Sequence, residues 1–263
     1  MTDDAQLTVT EHLEELRTRL IRSTAALAVG FVVGWIFRRD ILYLLKKPLL
    51  DALPEEMRHT ILLRVIDKFF IDLKVATIGA VFLAAPYVLF QLWRFVSPGL
   101  YKHERLVALP VLVAGTLLFA AGVAFCYLVV LPFGFDFFVA YSLSPDALTL
   151  GGGPSSAADQ LQIALREHIG FTAAFLFVFG IAFETPLAMF ALGWVGVVPP
   201  QWFARQRRFA IVFIFIIAAI LTPPDPWSQI SMAIPLLLLY ELGIWSTNLL
   251  LRFRRKSIST SSE

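Results

Sequence analysis

Apolar residues run through this chain in long uninterrupted stretches, and charged residues fall between them. With the charges read as boundaries, six stretches emerge, at about residues 20–37, 73–94, 106–133, 168–192, 209–222 and 228–250. Most come near the roughly 20 residues that a helix needs to cross about 30 Å of hydrocarbon. A membrane β-barrel would instead alternate apolar and polar positions in pieces of about ten residues. Runs such as VLVAGTLLFAAGVAFCYLVVL have no such alternation. The pattern predicts an all-α, polytopic integral membrane protein with six transmembrane helices, the last two short, forming a single membrane domain over residues 1–263. An even number of spans puts both termini on one side.

The segments between the spans have patterns of their own. ILYLLKKPLLDAL and ILLRVIDKFFIDL, in the first outer loop, space apolar residues at three and four, which predicts two short amphipathic helices at the interface. SPDALTLGGGPSSAADQ, in the second outer loop, has no periodicity and little to bury, so a mobile loop is expected there. The fifth stretch is confined between Arg208 and Pro223, Pro224 and Asp225. It holds only about fourteen apolar residues, or roughly 21 Å of helix, too few for an average bilayer. Either the membrane thins beside it or water enters, which marks that edge as a place for something to dock or pass. Trp35, Trp93, Tyr101, Tyr127, Trp194, Trp202, Trp227 and Trp245 mostly fall near the proposed ends, as interfacial aromatics do.

Composition agrees with the pattern: 58% of residues are hydrophobic and 16% charged, where a soluble domain has about a quarter charged. The net charge of +2 suggests no nucleic-acid partner. Lys and Arg set the orientation. Arg17, Arg19, Arg22, Arg94, Lys102, Arg105, Arg205, Arg207, Arg208, Arg252, Arg254, Arg255 and Lys256 fall at the termini and in alternate loops, outnumbering the cations of the other side. Both termini are therefore expected in the cytoplasm. Eight opposing cations crowd between Arg38 and Lys74 beside six acids. About twenty residues, with Asp3, Asp4, Glu11, Glu14 and Glu15, precede the first span and no small-residue cleavage site follows it, so it is read as a span and not as a signal peptide. Cys126, the only cysteine, sits in an apolar run and is read as a small buried side chain.

Candidate chemistry is sparse. There is no phosphate-cradling GxxxxGK, no HExxH and no GxSxG, and the four histidines at 12, 59, 103 and 168 lie in loops or at edges. Catalysis and cofactor binding are not expected, and His12 with Glu15 lacks the further ligands a metal needs. Carboxylates stand out instead. Glu184 falls midway along IGFTAAFLFVFGIAFETPLAMFALGW, where a charge costs on the order of 3 kcal/mol. Two readings stand: a functional intramembrane group, or a protonated carboxyl bonded to a backbone carbonyl freed by Pro186. Glu241, nearer an end, can snorkel. TVTEHLEELRTRLI opens with a capping box, Thr8 with Glu11, and puts Val9, Leu13, Leu16 and Leu20 on one face. Glu15 stands four residues before Arg19, the favourable spacing for a helical pair. In FVSPGLYKHER, Pro98 and Gly99 break one helix before Glu104.

The strings HLEELRTRL, SPGLYKHER, FETP and LTPPDPWSQ followed by ELG occur in that order, and in order and spacing the chain resembles the TatC family over nearly its whole length. The GGGPSS loop is longer than the family pattern. The resemblance implies a non-enzymatic receptor in the bacterial inner membrane that binds twin-arginine signal peptides of folded cargo from the cytoplasm. It also implies work with the single-span subunits TatA and TatB, further copies of itself, and the proton gradient. Carried over by motif, the signal-peptide patch falls on His12, Glu15, Leu16 and Arg17 and on Phe95, Tyr101 and Glu104. The intramembrane and partner site falls on Glu184, Thr222, Asp225 and Gln229, and Pro48 and Pro86 take structural positions. Two carboxylates from different segments, Glu15 and Glu104, suit two arginine forks. The rival reading is a proton-coupled transporter that uses Glu184 and Glu241 as carriers.

Overall fold

The computed structural model describes residues 9–55, 60–61, 66–96, 105–142, 163–196, 198–222 and 226–260. In chain order these form α1 (Val9–Ile36), α2 (Arg38–Ala52), β1 (Thr60–Ile61), α3 (Asp67–Val96), α4 (Arg105–Phe125), a π-helical turn (Cys126–Val130), α5 (Leu131–Ser142), β2 (Ile163–Ala164), α6 (Leu165–Phe183), α7 (Thr185–Val195), α8 (Pro200–Arg205), α9 (Arg207–Leu221) and α10 (Pro226–Thr260). Five stretches among the described residues are long and apolar enough to cross a membrane: Leu13–Ile36, Asp67–Leu92, Val113–Ala140, Glu167–Trp194 and Gln229–Leu249. The sixth span is α9, whose 15 residues rise only about 22 Å. The last two spans are thus the shortest, because Gln229–Leu249 has 21 residues against 24 to 28 in the other four. Ile220, Trp245 and Leu128 are 77, 74 and 69% exposed, a surface suited to lipid and not to water.

Two boundaries differ from the sequence reading. The second amphipathic segment is not a separate helix. Thr60–Ile61 is a strand, and from Asp67 the chain is already in α3. Spacing of three and four is the same for a short helix and for the first turns of a long one. The third span, expected to end near residue 133, continues as helix to Ser142. Pro132 does not stop it, because the π-turn comes immediately before. There the Leu131 N–H reaches the Cys126 carbonyl five residues back, and the widened turn makes room for the proline ring. The loop expected to be mobile, residues 144–160, lies outside the described residues.

By its contacts the chain divides into two compact units. The first comprises Met1–Ile41 and Asp72–Thr116, with α1 and α3 at its centre. These helices meet backbone to backbone. A Cβ on Gly30 would lie 2.9 Å from the Ala80 carbonyl oxygen, and one on Gly34 would lie 2.6 Å from that of Ala76. Any side chain there would force the helices apart. At one end Arg38 stacks over the Trp35 ring at 5.0 Å, donates to the Trp35 carbonyl at 2.7 Å and lies 3.5 Å from Asp72.

The second unit comprises Leu42–Ile71 and Leu117–Glu263. Its α7 and α10 pack closely, and Gly243 permits it: a Cβ there would run into the Met189 sulfur. Met189, Phe203 and Ile244 form a buried cluster with Leu192, Val198, Ala204 and Tyr240 packed around it, and the Tyr240 hydroxyl donates to the Phe203 carbonyl at 2.8 Å. Gly196, at φ 81°, ends α7 in the left-handed conformation that glycine adopts without strain. β1 and β2 pair in parallel, Thr60 with Ile163 and Ile61 with Ala164.

Candidate functional site

The first candidate patch lies on α1. Local spacing brings Glu15 and Arg19 together, and Glu15 Oε1 accepts from Arg19 Nε at 3.1 Å and also from Arg19 Nη2. Both contacts fall on one oxygen. Glu15 Oε2 has no hydrogen bond among the described residues, and the side chain remains partly exposed. Arg19 is buried, whereas Leu13, Leu16, Arg17 and Leu20 are exposed. Leu13, Leu16 and Leu20 of the expected apolar stripe therefore face outward, available to an apolar partner, and the side chain of Val9 lies outside the described residues. The rest of the candidate patch is not described: Tyr101 and Glu104 lie outside the described residues, as do the side chains of His12 and Phe95.

The interior carboxylate sits at a break. Pro186 has no N–H for the Ala182 carbonyl, and the span divides at Glu184 into α6 and α7. The backbone compensates with Glu184 N–H to the Ile181 carbonyl at 3.0 Å and Ala188 N–H to the Glu184 carbonyl at 2.8 Å. The side chain is 8% exposed, and among the described residues neither carboxylate oxygen has a hydrogen-bond partner. The bond to a carbonyl freed by Pro186, one of the two sequence readings, is therefore not made. Gln91 Oε1 is the other buried side-chain atom without a partner among the described residues.

Thr222 and Gln229 close the short α9. Thr222 Oγ1 donates to the Ala218 carbonyl at 2.8 Å, and Gln229 Nε2 donates to the Phe215 carbonyl at 3.1 Å. The Thr222 N–H reaches the same Ala218 carbonyl at 2.8 Å, and Phe215 lies six residues inside the end of α9, so each side chain adds a bond to a carbonyl that a backbone N–H of the helix end can also serve. Thr222 also lines a cavity of about 200 Å³ whose walls are largely phenylalanine, Phe125, Phe135 and Phe171 among them. Asp225 lies outside the described residues.

Sequence reasoning missed three pairings. Tyr127 OH donates to the Leu44 carbonyl at 3.0 Å. His168 Nε2 donates to the Leu45 carbonyl at 3.2 Å, with Thr172 Oγ1 3.4 Å from the same nitrogen. Arg207 grips Glu241 with both ends of its fork, Nε to Oε1 at 2.8 Å and Nη2 to Oε2 at 2.9 Å. Glu241, one of the two carriers of the transporter reading, is thus held in a half-exposed ion pair. Pro48 is buried inside α2 and Pro86 is exposed inside α3. Among the described residues no group of three or more His, Cys, Asp or Glu side chains is placed to hold a metal.

Six apolar helical spans, with polar features gathered at helix ends and at one interior carboxylate, define a multi-pass integral membrane protein. The family model for the Sec-independent protein translocase protein (TatC) matches residues 11–235. The chain belongs to the TatC family. The Sec-independent protein translocase protein TatC of Halothiobacillus neapolitanus is 42% identical over 234 residues, 89% of this chain but 60% of that protein. The chain thus spans less than two thirds of that relative. The TatC proteins of Escherichia coli K12 and Aquifex aeolicus are 35% and 36% identical, over 92% and 94% of this chain and 88% and 98% of their own lengths. A crystal structure of the twin arginine translocase receptor TatC superposes with a TM-score of 0.76 at 36% identity, covering 91% of this chain and 99% of that one. These relatives are named as translocase proteins, components of transport.

Proposed function

We propose that this chain is the receptor core of a twin-arginine translocase, binding the signal peptides of folded cargo at the cytoplasmic face of the bacterial inner membrane. It nucleates a complex with TatA, TatB and further copies of itself that the proton gradient drives. The observation that carries the reading is Glu15: a half-buried carboxylate with one oxygen held by Arg19 and the other open, on a helix whose leucines face outward. An incoming arginine meets an anion already oriented and contributes its bond at Oε2. The hydrophobic part of a signal peptide finds Leu13, Leu16 and Leu20 beside it. In this reading Glu104, with Phe95 and Tyr101, completes the patch for the second arginine, and His12 and Arg17 border it. Glu184, with Thr222, Asp225 and Gln229, serves the single-span partners.

The test is signal-peptide affinity of the assembled protein in Glu15→Ala, Glu104→Ala and the double variant. A charge-assisted hydrogen bond contributes about 1.5–3 kcal/mol. Each single variant should therefore lose about tenfold or more in affinity while complex assembly persists. Unchanged affinity in the double variant removes this recognition site.

A further inference from the structure

Along the seam between α1 and α3 runs an open groove of about 500 Å³. Its floor is low because Gly30 and Ala84 are buried and carry little side chain, and its rims, Val29 and Leu83, are exposed. Arg22 and Tyr87 line one end. The register shows why they share it. Gly30 sits on Ala80 and Gly34 on Ala76, so the helices run antiparallel, and the same register brings Tyr87 level with Arg22. Arg22 is exposed, and among the described residues its guanidinium meets no carboxylate.

Length decides what fits. From Arg22 to Val33, the extent of the lining on α1, the helix rises about 16 Å. That is about half of the roughly 30 Å hydrocarbon core, or one leaflet. A spanning helix needs the whole core and is about 10 Å wide. The groove ends too early for that, and its floor is a contact between two backbones. A cation at the level of one interface, followed by one leaflet's depth of apolar channel, matches a lipid with an anionic head and an acyl chain of one leaflet's length. We propose that this groove is a binding site for an anionic phospholipid, with the phosphate held by Arg22 and one acyl chain lying between α1 and α3. The site belongs to the leaflet at the amino-terminal end of α1 and is separate from the signal-peptide and partner sites proposed above.

The test uses the full chain in vesicles of phosphatidylethanolamine and phosphatidylglycerol, with a phosphatidylglycerol whose acyl chain carries a photoactivatable group. After illumination, label is expected to concentrate on peptides containing Val29 to Val33 and Leu83 to Tyr87. Arg22→Gln should reduce that label by about fivefold, the factor one basic residue contributes at an anionic surface. Arg22→Lys keeps the charge and should retain most of it, and a phosphatidylcholine probe should label the groove weakly. Equal labelling in Arg22→Gln, label spread evenly over all lipid-facing spans, or capture of a protein segment by a photoreactive residue at Val29 would each overturn the proposal.

Discussion

A proline inside a helix leaves the carbonyl four residues earlier without its usual donor. For Pro48 that carbonyl is Leu44, and the Tyr127 hydroxyl takes the missing place at 3.0 Å. The proline position implied by family resemblance thus has a physical counterpart, a carbonyl kept open for a side chain of another span. Tyr127→Phe should cost about 1 kcal/mol of stability. In a Pro48→Ala background, where residue 48 again has an N–H for Leu44, most of that cost should vanish, a coupling of about 0.5 kcal/mol or more. Unfolding of the four proteins of this cycle in detergent measures it, and an equal cost of Tyr127→Phe in both backgrounds refutes the exchange of donors. The Glu15–Arg19 pair was legible in the sequence because four residues bring side chains together on any helix. Tyr127 with Leu44, and Arg207 with Glu241, were not legible: their partners are 83 and 34 residues apart, and local spacing carries no information about what a span will face.

At the scale of elements, charge boundaries located six spans and singled out the short one, since charged residues cannot cross lipid cheaply. The extension of the third span to Ser142 was hidden because charges were read as boundaries and Asp136 falls just beyond residue 133, and a π-turn has no sequence signature comparable to a cap. The break at Glu184 was half legible: Pro186 marked it, but the isolation of the carboxylate depended on neighbouring helices. If Glu184 serves docking or gating, Glu184→Gln retains hydrogen-bonding atoms and should keep much of the transport. Glu184→Ala should abolish transport while signal-peptide binding stays near normal. Transport and peptide binding assayed at matched membrane levels separate these outcomes. Full transport in the alanine variant would make Glu184 a passive residue.

For the molecule as a whole, the excess of Lys and Arg at the termini and alternate loops predicts both ends in the cytoplasm. A cysteine placed at Ser257 should react with an impermeant reagent only from the cytoplasmic side, and reaction only from outside reverses the orientation. Composition could not show the division into two units, because both draw on distant segments of the chain. Distance along the chain also has a consequence in time. The partners of α2, Tyr127 and His168, follow Leu44 and Leu45 by 83 and 123 residues. At about 5–20 residues per second of synthesis, the Leu44 carbonyl waits on the order of 4–17 s for its donor, and the Leu45 carbonyl about 6–25 s. The helix made second therefore completes these two contacts only after the third span and the first turn of α6 have been made. A ribosome pause after residue 52 and before residue 127 lengthens the interval in which α2 is exposed to proteases and chaperones.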